Sequence, residues 1–396
     1  MKKEVLVSVV IPAYNHELYA QNSIKSIISQ TYKRIELIVI DDGSTDETWN
    51  KIIELKNVCE NRFERVVFQT QKNIGTGATL NELIGLCKGD YVYVIASDDV
   101  SVPTAIREQL ECLRVEKKYA LCVGDNAFID SAGNECYQDA NGNFTNDKKS
   151  AKFFTFGQAL QFSRKLNFAT DDFGKYSELY KINHVPNGYL IRKKALKGFR
   201  FSTDAPLEDW ALMLFLAKYY KFKYINKVLF KYRQHNANTI KNVGSIYKKD
   251  LRTRLNEQAV LRTLRLWRCL PGVRVFAGEK KRELERMWRL LLKGTIVQKN
   301  VNYCIDSKVF DGNGTYIYGW AFCTNEICRV FIKHEKVFYD TIAQLRPDVQ
   351  LAFNLDNDKQ GFSAFVPVEL GDYSLHLVNM EKNEVYVCKI ESNKNC

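Results

Sequence analysis

The chain of 396 residues is 45% hydrophobic and 26% charged, which excludes a disordered or fibrous polypeptide and leaves room for two or three domains. Its formal net charge of +12 is local: residues 241–300 hold 16 Lys/Arg against 5 Asp/Glu, a net +11, so the rest of the chain is close to neutral. The eleven cysteines form no CxxC pair and no zinc-ligand spacing, and they read as reduced, mostly buried thiols of a cytosolic protein.

The apolar, β-branched run from Val5 to Ile11 predicts a strand covered on both faces. Glu4 before it, with Pro12 and Asn15 after it, sets this run apart from a signal peptide, and no apolar run reaches the ~18 residues that span a bilayer. Ile24, Ile27 and Ile28 share one helical face. A second strand follows at Ile35 to Ile40, with Asp46 as the expected N-cap of the next helix. Arg65 to Phe68 predicts a third strand, Leu80 to Leu86 a helix, and "GDYVYVIASDDV" a fourth strand.

Alternating strands and helices imply a parallel sheet with helices on both faces, and ligands of such sheets bind outside the carboxyl ends of the strands. Pro12-Ala13-Tyr14-Asn15, Asp41-Asp42 and Asp98-Asp99 all fall at such ends. An aromatic ring beside carboxylates suits a nucleotide-sugar: the base stacks on Tyr14 and donates to Asp42, while a divalent cation on Asp98 bridges the diphosphate. The plainer reading makes Asp42-Gly43-Ser44 a turn and Asp98-Asp99 a helix-capping stretch, but two acidic pairs in one sheet favour a site. Gly75-Thr76-Gly77 lacks the third glycine of a dinucleotide fingerprint, since position 80 is Leu80.

These stretches resemble family 2 of the glycosyltransferases, with the GT-A fold. The resemblance lies in "VSVVIPAYN", "SIISQTYKRIELIVIDDGSTDET", "NIGTGATLNELIGLCKGDYVYVIASDD", "PLEDWALML" and "YRQHNANT", and covers about residues 5–240. It implies an inverting, metal-dependent enzyme that transfers a sugar from a nucleoside-diphosphate donor, with UDP favoured, to a glycan or lipid-linked acceptor in surface polysaccharide biosynthesis. Pro12, Tyr14 and Asp42 match the family's base-binding positions, and Asn15, Asn73 and Ser97 join them on the donor side. Asp98 matches the last carboxylate of the metal-binding D-x-D motif, with His235 as a second ligand for Mn²⁺ or Mg²⁺. Asp209 matches the catalytic base, and Asp99 and Glu208 fall on the acceptor side. One departure stands out: Ala96 replaces the first Asp of D-x-D.

Residues 126–186 break the alternation with a polar, turn-rich insert, a short helix at "FGQALQFSRKL" and a strand at "NHVPNGYLIR", and are expected to shape acceptor choice. "DWALMLFLAKYY" predicts a helix opening at Asp209, and "KYINKVLFKYR" a strand leading to His235. Between about 245 and 298 an apolar stripe at Leu284, Met287, Trp288 and Leu291 runs beside Arg282, Arg286, Arg289 and Lys293. This basic segment suits contact with an anionic membrane or packing on the catalytic domain better than nucleic acid. From about 303 onward, short alternating strands predict a small antiparallel sandwich, a candidate for sugar binding or homo-oligomer contact.

The expected organisation is thus a GT-A catalytic domain at 1–240, a basic helical segment at 241–300 and a β-sandwich accessory domain at 301–396. The expected location is the cytoplasm, peripheral to the inner face of the membrane. Two rival functions compete. A nucleotidyltransferase would also use paired carboxylates and a metal, but "IPAYNHE" lacks the glycine-rich basic loop it needs. A noncatalytic sugar-binding protein on a decayed transferase scaffold draws its support from Ala96.

Overall fold

A computed structural model describes residues 4–140, 142–235, 249–250, 252–257, 260, 286, 295–296, 301–310, 314–323, 326, 328–335, 337–344, 349, 353, 355, 360–382 and 384–390. The chain forms two compact units, one of residues 1–241 and 256–274, the other of 242–255 and 275–396.

In the first unit, β1 (Val7–Ala13), β2 (Ile35–Asp41), β3 (Arg65–Thr70) and β4 (Tyr91–Val94) pair in parallel in the order β3-β2-β1-β4. Every residue of β2 is buried, as a continuous apolar strand between two helical layers requires. The connecting helices are α1 (Ala20–Ile28), α2 (Thr48–Ile53), α3 (Lys56–Arg62) and α4 (Thr76–Leu86). Ile24 and Ile27 of α1 pack with Val9, Ile11 and Leu37 in one core. The Asp46 carboxylate accepts from the Thr48 backbone (3.0 Å) at the start of α2, one residue ahead of the N-cap position, which Glu47 occupies.

Beyond β4 the sheet becomes mixed. After β5 (Val100–Ser101), α5 (Ala105–Val115) and β6 (Tyr119–Ile129) comes the insert, with β7 (Glu135–Gln138), β8 (Phe144–Thr145), α6 (Phe156–Arg164) and α7 (Tyr176–Lys181). Then β9 (Leu190–Arg192) wedges antiparallel between β4 and β6, α8 (Glu208–Ala217) follows, and β10 (Lys221–Arg233) runs parallel to β6. A ten-stranded α/β sheet of this kind is the GT-A-like architecture expected.

Buried Glu257 accepts from Tyr176 (2.5 Å) and pairs with buried Lys218 (2.7 Å) within the first unit. Of the basic stretch at 245–298, Arg282, Leu284, Met287, Trp288, Arg289, Leu291 and Lys293 lie outside the described residues. All nine described cysteines are free thiols, five of them buried. No helix among the described residues is long and apolar enough to cross a membrane.

The second unit has two sheets. One joins β12 (Asn302–Phe310), β13 (Thr315–Phe322), β17 (Gly361–Val366) and β16 (Ile342–Gln344), all antiparallel. The other runs β11 (Thr295–Ile296), β19 (Glu384–Ile390), β18 (Tyr373–Asn379), β14 (Arg329–His334), β15 (Val337–Asp340), antiparallel except at β11. Ile317, Phe362 and Ala364 of the first sheet share a core with Ile332, Leu375 and Tyr386 of the second, which makes the pair a sandwich.

Candidate functional site

The carboxyl ends of β1, β2, β4 and β10 converge on one edge of the first unit. At β2, the two carboxylates are buried, and each finds donors close by. Asp41 accepts from the Thr70 hydroxyl (2.9 Å) and the Ser44 hydroxyl. Asp42 accepts from the backbone of Ile74 (2.9 Å) and Gly75 (2.9 Å) and from the Gln71 amide (3.0 Å). Three donors leave about one of its four lone-pair directions open to a ligand. Gly43 makes this turn possible: its φ is +74°, and a Cβ there would lie 2.7 Å from the Asn73 nitrogen.

Pro12 stands opposite Ile40 near the end of β1. Next to it, Asn15 adopts a left-handed φ of 49°, its N–H donates to the Ser44 hydroxyl (2.9 Å), and its side-chain oxygen accepts from the Thr45 backbone (2.9 Å). Asparagine tolerates this conformation better than most residues. The two loops are thereby stitched together, and the Tyr14 ring beside them is 45% exposed, a flat apolar surface open to a stacking partner. Asn73 is exposed on the loop that follows β3.

After β4 the chain runs Ile95-Ala96-Ser97-Asp98-Asp99. The Ala96 carbonyl accepts from Ser23 of α1 (3.0 Å), and its side chain is exposed. Ser97 is buried and its hydroxyl meets His16 Nδ1 at 2.8 Å, which leaves the other ring nitrogen, Nε2, 3.9 Å from Asp98 Oδ2. His235, just beyond β10, donates from Nε2 to the same Asp98 oxygen (3.0 Å). Burial alone would raise the Asp98 pKa, but the His235 hydrogen bond and the two imidazoles hold it below the ordinary value. Burial lowers the His16 pKa, against the pull of Asp98.

Asp99 faces inward at 1% exposure and accepts from the Arg233 backbone (2.9 Å); burial, then the Asp98 charge, pushes its pKa well above the ordinary value. Buried Arg233 completes the support. Its guanidinium donates to the Asp98 carbonyl (2.7 Å) and to the Asp130 carbonyl (3.1 Å), and lies over the Tyr19 ring at 4.9 Å. The metal-loop candidate and the end of β10 are therefore one hydrogen-bonded piece.

His16, Asp98 and His235 each offer one donor atom, and these lie within 4.8 Å of one another. Two imidazole nitrogens and a carboxylate oxygen fit a divalent transition-metal ion, and suit Mn²⁺ better than Mg²⁺, which favours an all-oxygen shell. Binding would displace the proton shared by His235 and Asp98. Sequence reading identified Asp98 and His235 but missed His16 and Arg233. His16 had one available signal: it is one of only five histidines and stands two residues after Tyr14.

Asp209 and Glu208 open α8 in its first turn. The Asp209 carboxylate is partly buried and accepts from the Asn183 amide (2.9 Å). Burial pushes its pKa above the ordinary value, opposed by the Trp210 backbone and Asn183 bonds. Tyr232 feels the charge of both carboxylate groups: burial raises its phenol pKa first, and the charges of Asp99, Asp98 and Asp209 raise it further.

Residues 8–176 match the family described as Glycosyl transferase family 2. An uncharacterized glycosyltransferase of Haemophilus influenzae is 29% identical over 242 residues, 61% of this chain and 80% of that protein. Glycosyltransferase GlyG of Streptococcus pneumoniae is also 29% identical over 242 residues, 60% of this chain and 73% of its own. A shorter segment is 36% identical to UDP-Glc:alpha-D-GlcNAc-diphosphoundecaprenol beta-1,3-glucosyltransferase WfaP of Escherichia coli, over 29% of this chain and 43% of that one.

Proposed function

The chain belongs to family 2 of the glycosyltransferases, and we propose that it moves one sugar from a nucleoside-diphosphate donor to a glycan or lipid-linked acceptor, with inversion at the anomeric carbon, in surface polysaccharide synthesis. The observation that carries this reading is the gathering of His16, Asp98 and His235 at the strand ends that also present Tyr14 and Asp42. UDP as the nucleotide and a lipid diphosphate as the acceptor draw support from the relative named for transfer from UDP-glucose to a diphosphoundecaprenol-linked sugar.

In this reading the base stacks on Tyr14 and donates to the open lone pair of Asp42, while Pro12, Asn15 and Asn73 shape the same pocket. His16, Asp98 and His235 hold a divalent cation, with Mn²⁺ the better match. When bound, that ion neutralises charge on the leaving diphosphate. Ser97 keeps His16 turned toward Asp98, the kind of outer support that fixes a ligand's orientation. His16 thus adds a donor atom beside a loop whose Ala96 offers no carboxylate.

Asp209 removes the proton from the attacking hydroxyl, with Glu208 as its acceptor-side neighbour. A carboxylate raised by burial is a better base near neutral pH than an ordinary one. The test is nucleoside-diphosphate release from a panel of nucleotide-sugars with Mn²⁺, with and without acceptor glycans, followed by NMR of the product anomer. Inverted product supports the proposal. No release above the protein-free control from any donor would overturn it.

A further inference from the structure

At the opposite end of the same sheet lies a second concavity. It is about 690 Å³ in volume and opens at the amino ends of β1 and β4, where Val5, Gly89 and Tyr91 form part of its wall. Five cations line it, Lys88, Arg192, Lys193, Lys194 and Lys197, against one acid, Asp90. The seven residues of β1 separate it from the strand-end site by about 20 Å, at ~3.3 Å per residue. It is therefore not part of the donor diphosphate site.

The cations fall into two groups. Arg192 donates to the carbonyls of Tyr119 (2.8 Å) and Glu116 (3.2 Å) and to the Tyr91 hydroxyl (2.8 Å), and Lys193 donates to the Cys87 carbonyl. Both are fixed in place by neutral acceptors, so their charge is not cancelled. Lys88, Lys194 and Lys197 are exposed and have no ion-pair partner among the described residues. The pattern Arg-Lys-Lys-x-x-Lys over 192–197 places four of the five charges on a single 3₁₀ turn, Lys193–Leu196, and its two flanking residues.

Like charges gathered in one concavity repel each other, and low-dielectric walls focus their field on whatever enters. Two anchored cations and three free amines around a ligand-sized hollow match a compact, multiply charged anion. We infer that this pocket binds a phosphate-bearing ligand, separately from the donor nucleotide. The same chemistry is offered by a soluble phosphate compound and by a phospholipid headgroup.

The test uses the full chain in EDTA, which removes cation-dependent binding at the strand-end site and leaves any residual binding there common to all the proteins compared. Inorganic pyrophosphate is titrated calorimetrically, and cosedimentation is measured with vesicles containing phosphatidylglycerol. The variant Lys88→Gln/Lys194→Gln/Lys197→Gln is compared with the parent and with the corresponding triple Arg variant. Pyrophosphate affinity reduced tenfold or more in the Gln variant, retained in the Arg variant and weakened by salt, supports a soluble ligand. Vesicle binding lost in the Gln variant, kept in the Arg variant and competed by pyrophosphate supports a headgroup. Donor hydrolysis should be equal in all three proteins. If parent and Gln variant bind pyrophosphate and vesicles equally, the pocket is an ordinary solvated surface and the inference fails, whatever the outcome for sugar transfer.

Discussion

The two ends of the central sheet carry opposite charge, and they treat it differently. At the carboxyl ends Asp41, Asp42, Asp98 and Asp99 are all below 10% exposure, and each accepts hydrogen bonds from backbone or side-chain donors within the same unit. At the amino ends Lys88, Lys194 and Lys197 stand in solvent with no carboxylate partner among the described residues. The difference follows from burial. A buried charge without partners is very costly, so the acids come with a scaffold of amides, hydroxyls and imidazoles that a ligand can borrow. Exposed lysines cost only their mutual repulsion, so they can wait for an anion. One end is preorganised, and the other is merely attractive.

The largest effect should come from the preorganised end. Asp209→Asn should lower transfer by about a hundredfold or more, the scale of a lost general base, with the donor dissociation constant nearly unchanged. Steady-state kinetics beside donor calorimetry checks this, and a variant that keeps most of its activity removes Asp209 from the role. Pyrophosphate binding in EDTA, which reports the amino-end pocket, should not move.

Next in size are the imidazole and carboxylate that face each other across Ser97. Asp98→Ala and His16→Ala should each weaken UDP binding in Mn²⁺ by about tenfold or more, the range seen when a metal shell loses support. In EDTA the same variants should bind UDP like the parent. Equal loss with and without the ion would mean that these residues touch the nucleotide rather than a metal. Tyr14→Ala gives the contrasting result: about a tenfold loss in both conditions, as for one lost stacking contact.

Much of the first unit was legible because its strands are local and continuous. Val5 to Ile11 and Ile35 to Ile40 announce buried strands by composition alone, and the structure places β1 and β2 within two residues of those bounds. The start of α4 was less visible. The helix begins at Thr76, because its first turn is small and polar and only Thr79, Leu80 and Leu83 form the buried face. The antiparallel wedge of β9 was not readable, since its direction depends on how the insert returns to the sheet rather than on its three residues. The same limit hides His16. Its contact with Ser97 spans 81 positions, and that of His235 with Asp98 spans 137, so no local pattern records either. The sandwich was legible strand by strand from short β-branched and aromatic runs between turns, although the structure buries β13, β17 and β18 almost throughout rather than in alternation.

The smallest effect separates the two functional carboxylates by sign. The Asp98 carboxyl is held below its ordinary pKa in the folded protein, so its ionised form adds stability above the unfolded value and loses it as pH falls through the folded one. Asp209 is pushed the other way by burial. Its contribution is fully present below the unfolded pKa and is lost as pH rises through the folded one, leaving a partly buried charge that disfavours folding at neutral pH. In EDTA at pH 7, Asp98→Asn should therefore lower the melting temperature, and Asp209→Asn should leave it unchanged or raise it. As the pH is brought down through the carboxylate range, both differences should shrink. Thermal melts of the two variants and the parent from pH 7 to pH 4 measure this directly. Differences of the same sign at pH 7 would mean that one of these carboxylates is held by forces other than those its neighbours supply.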